Sequence, residues 1–174
     1  QDSEQPYTVR PLETVLDWSD WDVQNDPVSE LTSLPGSGGD PAQGFAKAAE
    51  MCNNNGHCRK FDAGTMCPSY RVTRDEEHVT RGRANMFRLA LSGQLGAGGL
   101  TGKAMYNALD LCVSCKGCKR ECPTGVDMAK MKVEFLAHYK RKHGFTLKDR
   151  LIAHLPDYAD EASRYAFLLN LRDR

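Results

Sequence analysis

The sequence has no apolar run of membrane-spanning length. Stretches such as Phe167-Leu168-Leu169 fall far short of the ~20 residues a bilayer demands, so no transmembrane helix is expected among these residues. Its start lacks the basic-then-apolar layout of a secretory leader, and a cytoplasmic protein is expected. It carries no net charge either. Lysine plus arginine (23) balances aspartate plus glutamate (23), which argues against a nucleic-acid-binding surface and against a polyacidic tail. No sustained apolar/polar alternation marks a strand, and the expected class is all-α. What the chain does have is cysteine. Seven, an odd number in tight clusters, disfavours a disulfide framework and fits a metal site in a reducing compartment.

With 174 residues, 40% of them hydrophobic, there is material for one modest domain, or one domain plus a tail. The chain opens on Gln1, and residues 1–41 read as the end of a preceding domain followed by a linker, Leu34-Pro-Gly-Ser-Gly-Gly-Asp-Pro41, an N-terminal segment expected to be poorly structured. A helical, cysteine-bearing domain is expected over residues 42–144 and further helices over 145–174. Within these, Ala42 to about Met51 suits a short helix delivering Cys52. Thr80 starts another, with Met86, Phe87, Ala90 and Leu91 on one face and Gly93 as its stop. A helix from about Thr101 to Leu111 leads into Cys112. After Cys122-Pro123 the proline can open a helix carrying Met128, Met131, Phe135, Leu136 and Tyr139 up to Gly144. Thr146-Leu-Lys-Asp149 fits a capping box for a helix to about Leu155, which Pro156 is expected to break before a last helix from Asp160 to Leu171.

The cysteines Cys112, Cys115, Cys118 and Cys122, the last followed by Pro123, match the C-x2-C-x2-C-x3-C-P run of bacterial iron–sulfur proteins without a gap. One tight loop presents three thiolates to a 4Fe-4S cluster, and the fourth cysteine of the run serves a second cluster. Gly117 keeps the loop free of a side chain, and Pro123 turns the chain away. The group Cys52, Cys58 and Cys67-Pro68 lies over the same template with Asn55 where a cysteine belongs. By the exchange rule Cys67 joins Cys112, Cys115 and Cys118 in a complete cluster, leaving Cys52, Cys58 and Cys122 for a second site. That site is open to a 3Fe-4S cluster, a 4Fe-4S cluster with Asn55, His57 or water as weak ligand, or no cluster.

Structural zinc is the competing metal, with His57 as an available nitrogen ligand, giving a zinc-stabilised interaction module. Gly96 to Lys103 resembles a phosphate loop, but its glycines miss the required spacing and Ala104 stands where a hydroxyl is needed. Arg71, Arg74, Arg81, Arg83 and Arg88 read as a solvated helix face, with a docking surface as the less favoured reading. Lys116, Lys119 and Arg120 flank the cysteine loop, where positive charge raises the potential of a cluster.

From about Met51 to Gly144 the chain resembles the iron–sulfur region of bacterial FAD-linked oxidases of the D-lactate and D-2-hydroxyglutarate dehydrogenase type. The resemblance rests on Cys52-Asn-Asn-Asn-Gly-His-Cys58, Thr65-Met-Cys67-Pro-Ser-Tyr70, Thr80-Arg-Gly-Arg-Ala-Asn85 and Ala108-Leu-Asp-Leu-Cys112-Val-Ser-Cys115-Lys-Gly-Cys118. It implies an α-helical ferredoxin-like domain that follows an FAD domain in a longer chain. It also implies oxidation of a 2-hydroxy acid by flavin, with electrons passed through clusters to a quinone, cytochrome or carrier protein, in the cytoplasm or peripherally at the inner membrane. On that view Cys67, Cys112, Cys115 and Cys118 are ligands, as are Cys52, Cys58 and Cys122, and this chain is the electron-relay part, without substrate oxidation of its own. An iron–sulfur subunit of a respiratory or heterodisulfide-type reductase shares the architecture.

Overall fold

Short apolar stripes at helical spacing, punctuated by glycine and proline, set the elements. The computed structural model describes residues 12–21, 44–96 and 98–167, so the linker from Leu34 to Pro41 lies outside the described residues. Within them every helix and turn is α or 3-10, with no strand. The α-helices are α1 (Gly44–Glu50), α2 (Pro68–Thr73), α3 (Thr80–Leu91), α4 (Lys103–Asp110), α5 (Gly117–Glu121), α6 (Met128–His143), α7 (Leu147–Ala153) and α8 (Leu155–Arg164).

Two compact units divide the chain, residues 1–139 and 140–174. In the first, Phe45 of α1 meets Phe87 of α3 edge-on with centroids 5.3 Å apart, and Trp18 meets Phe45 at 5.0 Å. Met105, Leu109, Val126, Met128, Met131 and Phe135 extend this core, so Met128 and Met131 pack as apolar side chains.

Residues 12–21, read above as the end of a preceding domain, lay Trp18 into this core. The anchor is Glu134 on α6, whose side chain is 0% exposed. Its carboxylate accepts from the amides of Val15 (2.7 Å) and Leu16 (2.9 Å), the Trp18 indole (3.1 Å) and His138 Nε2 (2.9 Å). Burial works against the charged form. The donors from Val15, Trp18, Leu16 and His138 outweigh it and hold the carboxyl below its ordinary range. The anchor is therefore fully present above the ordinary carboxylate range and lost only as pH falls through the lowered value. Glu134→Gln turns an amide NH2 toward two of these donors and is expected to cost about 1–3 kcal/mol for each donor left without an acceptor. Denaturant unfolding followed by tryptophan fluorescence checks it.

Three boundaries differ from the sequence expectation. Pro123 does not open a helix: Gly125 (φ +66°) closes a turn onto the Cys122 carbonyl at 2.9 Å, and α6 starts at Met128, where Asp127 accepts from the Lys130 amide at 3.0 Å. A carboxylate cap satisfies the free amides of a first turn, which proline alone cannot do. Pro156 does not break a helix but sits in the first turn of α8, the position where its missing N–H costs nothing. Pro68 does the same for α2, a helix the apolar pattern was too short to reveal.

In the second unit the capping box forms as expected. Thr146 Oγ1 accepts from the Asp149 amide at 3.2 Å, and Asp149 accepts from the Thr146 amide at 2.8 Å and from Lys140.

Candidate metal centre

Six of the seven cysteines sit where a helix ends, begins or gives way to a turn, and Cys115 lies in the loop before α5. Cys52 follows α1, Cys58 lies in the 3-10 turn His57–Arg59, Cys67 precedes α2, Cys112 follows α4, Cys118 is in α5 and Cys122 ends it. The loops bend through non-glycine residues in the left-handed region: Asn54 (φ 60°), Cys67 (53°), Ser114 (54°) and Lys116 (58°). This conformation costs about 1–2 kcal/mol per residue and collects where a chain must aim its side chains.

Cys52, Cys58, Cys67 and Cys118 are buried, Cys112 and Cys122 half-buried, and Cys115 exposed. Burial pushes the Cys58 and Cys118 thiols up to about 11 and raises Cys67 as well. Buried sulfur ionises only where donors and positive charge replace the lost water. Donors are in place. The Thr80 amide donates to Cys67 Sγ at 3.1 Å, and the Thr80 hydroxyl lies 2.9 Å from the same sulfur. The Arg81 amide faces Cys58, and the Met128 amide faces Cys118. The first turns of α3 and α6 therefore spend their otherwise unpaired N–H groups on three buried sulfurs, with the positive end of each helix dipole behind them.

Cys67, Cys112, Cys115 and Cys118 line one cavity of about 320 Å³ including its open mouth, together with Thr80, Arg83 and Met128. Cys52 and Cys58 are close enough to each other, and Cys67 to Cys58, for like charge on one to disfavour it on the next. Cys122 Sγ lies 3.2 Å from the Thr124 hydroxyl. Asn55 is exposed and folded back on its own loop: its side-chain amide donates to Asn53 Oδ1 at 2.5 Å, while its oxygen accepts from the His57 amide at 2.8 Å. His57 is half-buried in the following turn. Among the described residues no three His, Cys, Asp or Glu side chains converge on a point that would hold one ion. Tetrahedral zinc bound by thiolates needs sulfurs within about 4 Å of one another, whereas a cluster spreads its ligands over separate irons. Buried sulfurs, amide donors and a nearby cation fit an anionic, thiolate-ligated group.

Of the five arginines Arg74 is exposed, but Arg81, Arg83 and Arg88 do not form a solvated face. Arg83 is 2% exposed and donates to the Ala108 carbonyl at 2.7 Å and to Ser69 Oγ at 3.0 Å. Arg88 donates to the carbonyls of Glu50 (2.9 Å) and Cys52, tying α3 to the first cysteine. Arg81 pairs with Glu76 at 2.5 Å. Lys132 of α6 does for Cys112 what Arg88 does for Cys52, donating to its carbonyl at 2.5 Å. Two further residues join the cysteine loops. Glu121 accepts from the Thr65 amide (2.9 Å), the Thr65 hydroxyl (2.6 Å) and the Met66 amide (2.9 Å), clamping the Cys67 loop to α5. Gly117 is small for the same reason: a Cβ there would come 3.1–3.3 Å from Thr65, so it makes room for the Cys67 loop. The hydrophilic spacing of Arg83 and Lys132 hid their roles, because a charge pattern does not reveal which face a helix buries.

Residues 48–126, which contain all seven cysteines, match the family model of the 4Fe-4S dicluster domain. Over a longer stretch the chain is 28% identical across 153 residues to the D-2-hydroxyglutarate dehydrogenase of Escherichia coli strain K12, a match covering 68% of this chain and 15% of the relative. The enzymes of the same name from Pantoea ananatis and Pseudomonas putida are 29% and 30% identical over 148 and 140 residues, covering 65% and 62% of this chain and 14% of each relative. The chain thus spans about 15% of the length of the curated relatives it matches. No solved structure matches it at a significant level. The stretch that is similar to a 4Fe-4S dicluster domain thus lies in a chain that is similar to a part of these dehydrogenases. Among the described residues no helix is long and apolar enough to cross a membrane.

Proposed function

We propose that this chain is the electron-relay part of an FAD-linked D-2-hydroxy-acid dehydrogenase, in which Cys67, Cys112, Cys115 and Cys118 hold a 4Fe-4S cluster. Cys52, Cys58 and Cys122 are assigned to a second cluster, of 3Fe-4S or 4Fe-4S type. The observation that supports this most is the shared cavity: Cys67, remote in sequence, lines the same walls as the three cysteines of the tight loop. In a longer parent chain FAD supplies two-electron oxidation of the 2-hydroxy acid, and clusters supply one-electron carriage to a quinone, cytochrome or carrier protein.

The residues around the cavity divide the work. Thr80, Arg81 and Met128 aim amides at the buried sulfurs. Cys115 is the exposed thiol of its set, beside Val113, which is 69% exposed, and the cations Lys116, Lys119 and Arg120. This is the face through which we assign electron exchange with a partner. Peripheral contact of the parent enzyme with the inner membrane, where a quinone acceptor resides, is compatible with that assignment.

The test is anaerobic purification with iron, sulfide and zinc counted per chain, and electron paramagnetic resonance before and after dithionite. About four irons with a signal only after reduction denotes one filled site, and about seven or eight denotes both. Stoichiometric zinc without iron overturns the reading.

A further inference from the structure

Arg83 carries a permanent charge, and the residue is 2% exposed. Its two hydrogen-bond partners, the Ala108 carbonyl at 2.7 Å and Ser69 Oγ at 3.0 Å, are both neutral. Ser69 is itself committed, donating to the His78 carbonyl at 2.7 Å. Among the described residues no carboxylate lies within ion-pair distance of Arg83, although Arg59, Arg81, Arg120 and Arg164 each have one. A buried cation without a counter-ion is a severe cost in a fold unless something anionic faces it. What faces it is the thiol cavity: Arg83 lines the wall shared by Cys67, Cys112, Cys115 and Cys118. Its charge is also among the influences that favour the ionised form of Cys67.

We infer that Arg83 is the fixed counter-charge of the four-cysteine site and sets its reduction potential. The inference rests on the assignment of Cys67, Cys112, Cys115 and Cys118 as cluster ligands. One-electron reduction makes the site more negative by one charge and requires no proton from a guanidinium that stays charged throughout. A cation held nearby therefore stabilises the reduced state more than the oxidised one. The exposed cations of the cysteine loop are weaker candidates for this task. Lys119 is paired with Asp127 at 3.4 Å and Arg120 with Glu121 at 3.2 Å, and water and salt screen what remains of their fields. Arg83 is buried away from that screen, and among the described residues it has no partner carboxylate. It is a positioning and tuning residue, not a ligand.

The experiment is a potentiometric titration with dithionite, monitored by electron paramagnetic resonance, on the full cluster-loaded chain and on Arg83→Gln, Arg83→Lys and Ser69→Ala. Arg83→Gln is expected to shift the one-electron equilibrium toward the oxidised state by roughly tenfold or more, a fall of about 59 mV per tenfold. Arg83→Lys keeps the charge and Ser69→Ala keeps the guanidinium, so both are expected within threefold of the parent. A glutamine variant within threefold of the parent overturns the inference, as does a lysine or Ser69→Ala variant that falls as far as the glutamine one. Should Arg83→Gln fail to take up iron, a lysine variant that assembles with the parental midpoint supports the counter-charge, and a lysine variant that also stays empty overturns it. A parent chain without iron overturns instead the cluster assignment beneath it, so the two failures are distinct.

Discussion

Cys67→Ala is expected to remove the same iron, and the same resonance signal, as Cys115→Ala, while Cys122→Ala leaves that signal in place. The loss should amount to at least one and at most about four irons per chain, because an alanine offers no atom to the fourth iron of a 4Fe-4S site and three thiolates can still hold a 3Fe-4S cluster. The expectation comes from geometry, since Cys67 lines the cavity of Cys112, Cys115 and Cys118 although three helices, α2, α3 and α4, intervene in sequence. Cys67 also occupies the left-handed position just before α2 (φ 53°), stabilised by two contacts from Thr80 to its sulfur. Losing the side chain removes the ligand and the acceptor together. Folding and ligation are coupled in small metal-bound domains, so a lower unfolding midpoint should accompany the loss of iron. The opposite pattern, with Cys122→Ala erasing the signal of the Cys115 loop and Cys67→Ala sparing it, would show that each loop fills its own site.

The candidate ligand pattern was legible in the chain because thiolate spacing is a local constraint. Three sulfurs in one loop and a cysteine before proline are dictated by the loop that carries them, and Cys112, Cys115 and Cys118 needed no tertiary information. The helices were legible where apolar spacing and a stop coincide: α3 ends as Gly93 (φ +79°) follows it, and α6 ends at Gly144 (φ +80°). What supports the sulfurs was not legible. Arg83, Arg88 and Lys132 look like solubilising charge in a linear pattern, and only the approach of α4 and the Cys52 loop turns them inward. Glu134 was unreadable for the same reason, since its donors Val15, Leu16 and Trp18 come from the far end of the chain. Glu121 and Gly117 were readable as loop residues but not as the clamp and the gap that admit Thr65.

Gly82→Ala should be the most disruptive single-methyl change within residues 48–126. A Cβ at this position would lie well inside van der Waals contact of the Glu76 carbonyl oxygen and 2.9 Å from its carbon, both backbone atoms that cannot rotate away. Taken alone, alanine in a helix is favoured over glycine by about 1 kcal/mol. Forced overpacking costs about 1–3 kcal/mol and more where the obstacle is backbone, so the clash prevails and the variant is expected to be less stable. Relief requires the start of α3 to move away from the turn at Glu76–His78. That start holds Thr80 against Cys67 and Arg81 against Cys58, so both sulfurs lose their amide donors in one displacement. Denaturant unfolding and the reduced-state spectrum of the iron-loaded variant report the two consequences separately. A Gly82→Ala chain more stable than the parent, with an unaltered spectrum, would mean that helix propensity alone governs this position and that α3 does not depend on its contact with Glu76.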